Sequence, residues 1–260
     1  MQRLIGLLLL IFIPLATMAQ TDYPIHDDFR AACRITAPLG RGVLGIGNAF
    51  LVAMPKGMRS DRELMIDKIK ISSTVDGEEF GVWVVTPKCG TAPRPAILVL
   101  HGGGFVFKGA PYHYDLAKEY ARRTGSVVVM VDYRTAHNNP YGTTLQDCVD
   151  AWRWMISEAQ NLGIDIARTA VVGDSAGGFL AIKTVLESDI RPSKLMLIYP
   201  VVDCSMRTES MALFSDTPVW NSELNRKMWE YYLQGATEES LLDLAENELQ
   251  KMPATYIETA

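Results

Sequence analysis

The stretch Gly173-Asp174-Ser175-Ala176-Gly177-Gly178 separates a β-branched run at 169–172 from an apolar, helix-like run at 179–186. Strand, G-x-S-x-G, helix is the context of a serine carried on a sharp strand-to-helix turn, the nucleophile elbow. Such a turn strains the serine backbone. The residues two before and two after it must be small, or their Cβ atoms collide across the bend. Ala176 is also small, and its N–H heads the following helix, where donors have no intrahelical partner. Alone the motif is weak and reads equally as a small-residue helix start. With Gly and Ser each about 7% of residues, it arises by chance in roughly one chain in ten of this length.

A second motif stands upstream. His101-Gly102-Gly103-Gly104-Phe105 follows the apolar run 96–100. Three glycines after a strand let the backbone approach a ligand and aim several N–H groups at one point, which an oxyanion hole requires. The plainer alternative is a flexible glycine turn, and the elbow downstream disfavours it.

H-G-G-G-F followed by G-D-S-A-G-G resembles the hormone-sensitive-lipase-like branch of the α/β-hydrolases, which are serine esterases. Further stretches carry the resemblance. Val131-Asp132-Tyr133-Arg134 is similar to the family's V-D-Y-R, Tyr199-Pro200 with Asp203 to its S-P-x-x-D, and residues 253–257 to its P-P-T-Y-I. The likeness runs from about Ile71 to the last residue. It implies an α/β-hydrolase fold: a mostly parallel central sheet flanked by helices, here lacking the last strand and helix. It further implies Ser175 as nucleophile and the N–H groups of Gly103, Gly104 and Ala176 as the oxyanion hole. Residues of about 20–62 and 205–235 would contribute a cap within one domain, 20–260. Neither metal nor cofactor is implied. The partner is a small-molecule ester, short-acyl or acetylated, rather than a long-chain lipid.

The chain has 260 residues, 48% hydrophobic, with net charge -5. That is enough for one large α/β core. No basic cluster points to nucleic acid. Residues 1–19 read as a secretory signal: Arg3, an apolar core at 4–15, and Thr17-Met18-Ala19 before the cut. The apolar run is short for a membrane anchor, so the mature protein is expected to be secreted or periplasmic, with no stable membrane span. Export permits disulfides among Cys33, Cys89, Cys148 and Cys204. Four cysteines allow three full pairings, and buried free thiols are the default expectation.

The segment 20–68 reads as irregular, punctuated by Gly40, Gly42, Gly45 and Gly47, with a helix expected only at 27–35. Residues 66–71 alternate as a half-buried strand, Asp76-Gly77 signals a hairpin, and 80–85 is the return strand. The runs 96–100, 126–131 and 194–199 read as strands buried on both faces. Helices are expected at 112–124, 145–162 and 241–249, and 206–233 is a long excursion rich in Trp and Tyr. Residue 255 begins another strand. Strands alternating with helices imply a parallel sheet with ligands at its carboxyl ends, where Ser175 and Gly102–Gly104 fall. Asp132 and Arg134 read as a structural pair, His101 as a support for the glycine loop, Asp174 as a local charge, and Asp203 as a loop cap.

A serine hydroxyl needs a base, and the base needs an orienting acid. In these folds the order is Ser, acid, His. All four histidines, His26, His101, His113 and His137, precede Ser175. The resemblance places acid and histidine after the 253–257 strand, beyond Ala260, so the 260 residues read as a C-terminally truncated esterase of little activity. Two alternatives stand beside this. A non-catalytic homologue acting as a binding module fits the missing histidine. A prolyl-oligopeptidase-like peptidase fits the elbow, though H-G-G-G argues against it.

Overall fold

The computed structural model describes residues 26–28, 37, 39–54, 56–237 and 246–259. The leader reading of 1–19, Cys33 and most of the helix expected at 27–35 lie outside these residues. The first long element corrects the irregular reading of 20–68. Helix α1 (Arg41–Ala53) runs straight through Gly42, Gly45 and Gly47. Leu44, Asn48 and Leu51 fall on one face at helical spacing and are 0%, 7% and 6% exposed. Burial of that face outweighs the poor helix propensity of glycine.

Strand β1 (Leu64–Ser72) turns at Asp76-Gly77 into β2 (Glu79–Pro87), antiparallel and in register from Leu64 opposite Pro87 to Ser72 opposite Glu79. Gly77 takes φ 76°, which a residue with a side chain resists. Then follow β3 (Arg94–Leu100), helix α2 (Pro111–Thr124) and β4 (Val127–Asp132). After them come helices α3 (Thr143–Ser157) and α4 (Ala159–Leu162), β5 (Ile164–Asp174), helix α5 (Ala176–Leu186) and β6 (Lys194–Ile198). The excursion holds α6 (Glu209–Leu213) and α7 (Ser222–Leu233), and α8 (Glu246–Leu249) precedes β7 (Ala254–Glu258).

The sheet order is β1-β2-β4-β3-β5-β6-β7. β2 meets β4 antiparallel, and every later pairing is parallel. Successive residues of the central strands face opposite layers. Leu98, Leu100, Val129 and Val131 join the core with α3 and α5, whereas Val99, Val128 and Met130 pack with Tyr114, Ala117 and Ala121 of α2. Both faces are therefore covered, which is why these strands read as unbroken apolar runs.

Four further expectations change. The helix expected over 145–162 is interrupted at Glu158, whose backbone leaves the helical region (φ −90°, ψ 8°), and it ends at Gly163, which turns left-handed (φ 65°) and whose carbonyl accepts the Arg94 N–H at 2.8 Å as the chain enters β5 beside β3. β6 is buried on one face only: Leu195 and Leu197 are covered, while Met196 and Ile198 are half-buried. Asp132 and Arg134 do not pair with each other. Lys108 Nζ lies 3.0 Å from Asp132, and Arg134 forks onto Asp147, a fully buried carboxylate that draws the guanidinium inward. Among the described cysteines only Cys148 is buried; Cys89 is exposed and Cys204 is half-buried.

Candidate active site

Ser175 sits between β5 and α5 with φ 52° and ψ −120°, a strained backbone for a residue with a side chain. The neighbouring strand holds it there. The Ser175 N–H donates to the Ile198 carbonyl at 2.9 Å, and its own carbonyl accepts the N–H groups of Gly178 (2.9 Å) and Val201 (3.1 Å). Its side chain does not cap α5, and Oγ has no hydrogen-bond partner among the described residues.

The small-residue rule has two separate causes here. A Cβ on Gly173 would strike the Gly177 carbonyl across the bend. A Cβ on Gly177 would strike the Leu100 carbonyl at the end of β3 instead. The second constraint is tertiary: it presses the elbow against the root of the glycine loop. Gly178 has a third neighbour, with Pro200 Cβ 2.7 Å from where its own Cβ would lie.

The glycine loop leaves β3 beside β5. Gly103, Gly104 and Phe105 take φ 125°, 57° and 61° in succession, and the Gly103 carbonyl accepts both the Val106 N–H (3.1 Å) and the Phe107 N–H (2.9 Å). The N–H groups of Gly103 and Gly104 find no acceptor among the described residues. Ala176, first residue of α5, contributes a third donor without an intrahelical partner.

Buried polar groups hold the loop at its entry. Gly102 N–H donates to Asp174 Oδ1 at 2.9 Å. His101 Nδ1 lies 2.7 Å from the Gly102 carbonyl and must donate to it, since a carbonyl only accepts. In a planar trans peptide this turns the Gly103 N–H the opposite way. The imidazole stacks on Tyr133 at 4.1 Å, and the Tyr133 hydroxyl donates to the His101 carbonyl at 2.7 Å. Burial, then the nearby His113, lowers the His101 pKa to about 3, so it is a neutral prop. His113 Nδ1 accepts the Ala110 N–H at 3.0 Å, which leaves Nε2–H to meet Asp174 Oδ2 at 3.4 Å. Burial raises the Asp174 pKa, but the His113 and Gly102 hydrogen bonds outweigh it and hold the carboxyl below its usual range. A cleft of about 50 Å³ opens beside it, lined by Tyr112, His113, Tyr120 and Tyr199 among others.

Aromatic side chains close the other side. Phe105 stacks on Tyr232 at 4.1 Å and lies 5.4 Å from Trp229. Trp220 Cη2 lies 2.9 Å, and Met228 Cγ 3.2 Å, from where a Cβ on Gly104 would project.

The structure thus brings the glycine loop and the elbow together. It leaves the remaining histidines elsewhere: His26 is exposed beside Asp28 at 3.6 Å, and His137 lies 3.1 Å from Thr135 Oγ1. Asp203 accepts the Ser205 N–H at 2.9 Å in a local turn. Among the described residues no cluster of three or more His, Cys, Asp or Glu is placed to hold a metal, and no helix is long and apolar enough to cross a membrane. Sequence reasoning passed over His113 and Asn48 as parts of this site, whereas Trp220 lies in the excursion 206–233 that the resemblance makes part of the cap. Each reaches it only through the fold, and none lies in a recognisable motif.

Residues 97–260 match the family described as the alpha/beta hydrolase fold. Over 123 residues the chain is 42% identical to an ethyl acetate hydrolase of Pseudomonas putida, covering 45% of this chain and 38% of that protein. Over 185 residues it is 27% identical to the hormone-sensitive lipase of Ictidomys tridecemlineatus, covering 69% of this chain and 24% of that protein. It spans well under half the length of each of these relatives. The structure of a bacterial heroin esterase superposes with a TM-score of 0.75 at 30% identity, over 91% of this chain and 80% of that one. Sheet order, elbow, glycine loop and these matches converge: the chain belongs to the α/β-hydrolase family, in its hormone-sensitive-lipase-like branch.

Proposed function

We propose that this chain carries the nucleophile and oxyanion hole of an exported serine carboxylic-ester hydrolase acting on short-acyl or acetyl esters. One observation carries the reading: the hydroxyl of Ser175 stands on a strained elbow joined to the loop of Gly103 and Gly104, and neither that hydroxyl nor those two N–H groups has a partner among the described residues. Ser175 Oγ attacks the ester carbonyl and gives up its proton to a base. The carbonyl oxygen gathers negative charge against the N–H groups of Gly103, Gly104 and Ala176, a type of stabilisation in which one donor alone is worth about 10²–10³ in rate. The alcohol leaves with a proton, and water then releases the acyl group. Trp220 and Met228 against Gly104 leave little room beside the donors, which supports a small ester. The ethyl acetate hydrolase among the relatives supports an acetyl group. The base and its acid come from outside residues 1–260 in this reading, and the residues about 20–62 and 205–235 act as a cap.

The placement of the four histidines, none bonded to Ser175, favours a second reading: a non-catalytic homologue that binds a ligand at the same elbow and glycine loop. A fluorophosphonate probe followed by peptide mass spectrometry separates the two. Labelling at Ser175, abolished in Ser175→Ala, supports the esterase. Absence of labelling in the natural full-length product supports the binding module.

A further inference from the structure

Helix α1 has no side-chain hydrogen bond at its N-cap and contains three internal glycines. Each glycine costs about 1 kcal/mol relative to alanine. The helix therefore depends on what it docks against. Besides Leu44 and Leu51, its buried face carries one polar side chain, Asn48.

The Asn48 amide is spent on the far end of the glycine loop. Nδ2 donates to the Val106 carbonyl at 2.7 Å, and Oδ1 accepts the Lys108 N–H at 2.7 Å. This is the double exchange that a neighbouring strand would make, performed by one side chain. Val106 closes the turn whose first carbonyl belongs to Gly103. Lys108 is fixed from its other end as well, its Nζ donating to the Tyr133 carbonyl at 2.7 Å. Asp174 and His101 hold the loop where it begins; Asn48 holds it where it ends. Aspartate would supply only the acceptor, and leucine neither bond, leaving the fully buried Val106 with an unpaired carbonyl.

We propose that Asn48 is a positioning residue for the oxyanion loop, so that docking of the glycine-rich α1 completes the cradle formed by Gly103 and Gly104. The proposal rests on the reading of those two glycines as oxyanion donors. It makes the N-terminal segment part of the reaction machinery without touching substrate.

The test uses the natural full-length product and two variants, Asn48→Ala and Asn48→Gln, with two readouts. Amide hydrogen exchange at residues 106–108 needs no turnover. In the alanine variant it should rise about tenfold, the scale of one lost hydrogen bond, while amides of β3 and β5 keep their protection. Fluorophosphonate labelling of Ser175 should lose about 10- to 100-fold in its bond-forming step, the scale of a small misplacement of catalytic groups, with initial binding little changed. The glutamine variant, which keeps donor and acceptor on a longer stem, should recover part of both. Unchanged exchange at 106–108, or a uniform rise across β3 and β5, overturns the proposal. So does a loss confined to the binding step. If Ser175 fails to label in the unaltered protein, the esterase reading falls, and local exchange alone decides whether Asn48 holds the loop.

Discussion

Asp174 and Gly102, 72 positions apart in sequence, are joined by a hydrogen bond of 2.9 Å from the glycine's N–H to the carboxylate. The residue before the candidate nucleophile thereby anchors the loop carrying the candidate oxyanion donors. Two motifs that look independent in the sequence are tied together. A Cβ on Gly102 would collide with the same carboxylate, so the contact leaves no room for any other residue there.

Asp174→Ala removes the acceptor of two buried donors, Gly102 N–H and His113 Nε2–H. Each unpaired donor costs about 1–3 kcal/mol. Asp174→Asn retains one oxygen for Gly102 and should fall between the alanine variant and the unaltered protein. Urea midpoints at pH 7 check the order. Equal midpoints for all three proteins would show that the anchor contributes nothing.

Gly177→Ala and Gly104→Ala should differ sharply. The first drives a Cβ into the backbone carbonyl of Leu100, which cannot give way, and should cost at least about 3 kcal/mol, the upper end for overpacking. The second meets only the side chains of Trp220 and Met228, plus a left-handed backbone cost of about 1–2 kcal/mol. Pairing Gly104→Ala with Trp220→Ala should restore part of the loss. A double-mutant cycle on denaturation free energy measures that coupling, and additivity would rule out the contact.

Acid should destabilise the protein through His101. Its pKa is lowered from 6.5 to about 3, chiefly by burial. Between these values the unfolded chain binds a proton that the folded chain refuses. The contribution is complete above pH 6.5 and declines as pH falls toward 3, by about 1.4 kcal/mol per pH unit. The depressed carboxyl of Asp174 acts in the same direction, its contribution present above its unfolded value and lost as pH drops through the folded one. Denaturation midpoints across this range should flatten in His101→Asn; an identical slope would exclude the imidazole as the source.

Arg134→Ala should be the most damaging change away from the elbow. Asp147 is 0% exposed, and Arg134 meets it at 3.0 Å and 2.8 Å through two guanidinium nitrogens. These hydrogen bonds raise the Arg134 pKa above its already high value, so the guanidinium stays charged. Stranding a buried carboxylate costs about 3–5 kcal/mol. Calorimetry checks the loss, and a change under about 1 kcal/mol, the worth of an exposed pair, would show that water reaches Asp147.

Legibility followed the range of the forces involved. Runs such as residues 127–131 declared themselves because burial on both faces leaves no polar position. Ser175 and the three glycines were legible because a tight bend and closely approaching backbone admit few residue types. Helix α1 was not, since its glycines speak against a helix and its stability comes from Leu44 and Leu51 meeting residues far along the chain. Half of β6 misread for the same reason: Met196 and Ile198 are apolar, yet the fold leaves them only half-buried.

The sequence by itself determined the elbow, the glycine loop, the alternation of strand and helix, and hence the family, because these depend on local sterics and on apolar periodicity. Only the tertiary structure decided what holds the loop in place. Asp174 grips its start and Asn48 its end, while Trp220 closes on Gly104. Each of those contacts joins residues at least 58 positions apart, and a hydrogen bond or a van der Waals wall at that separation exists only once the sheet has brought its partners together.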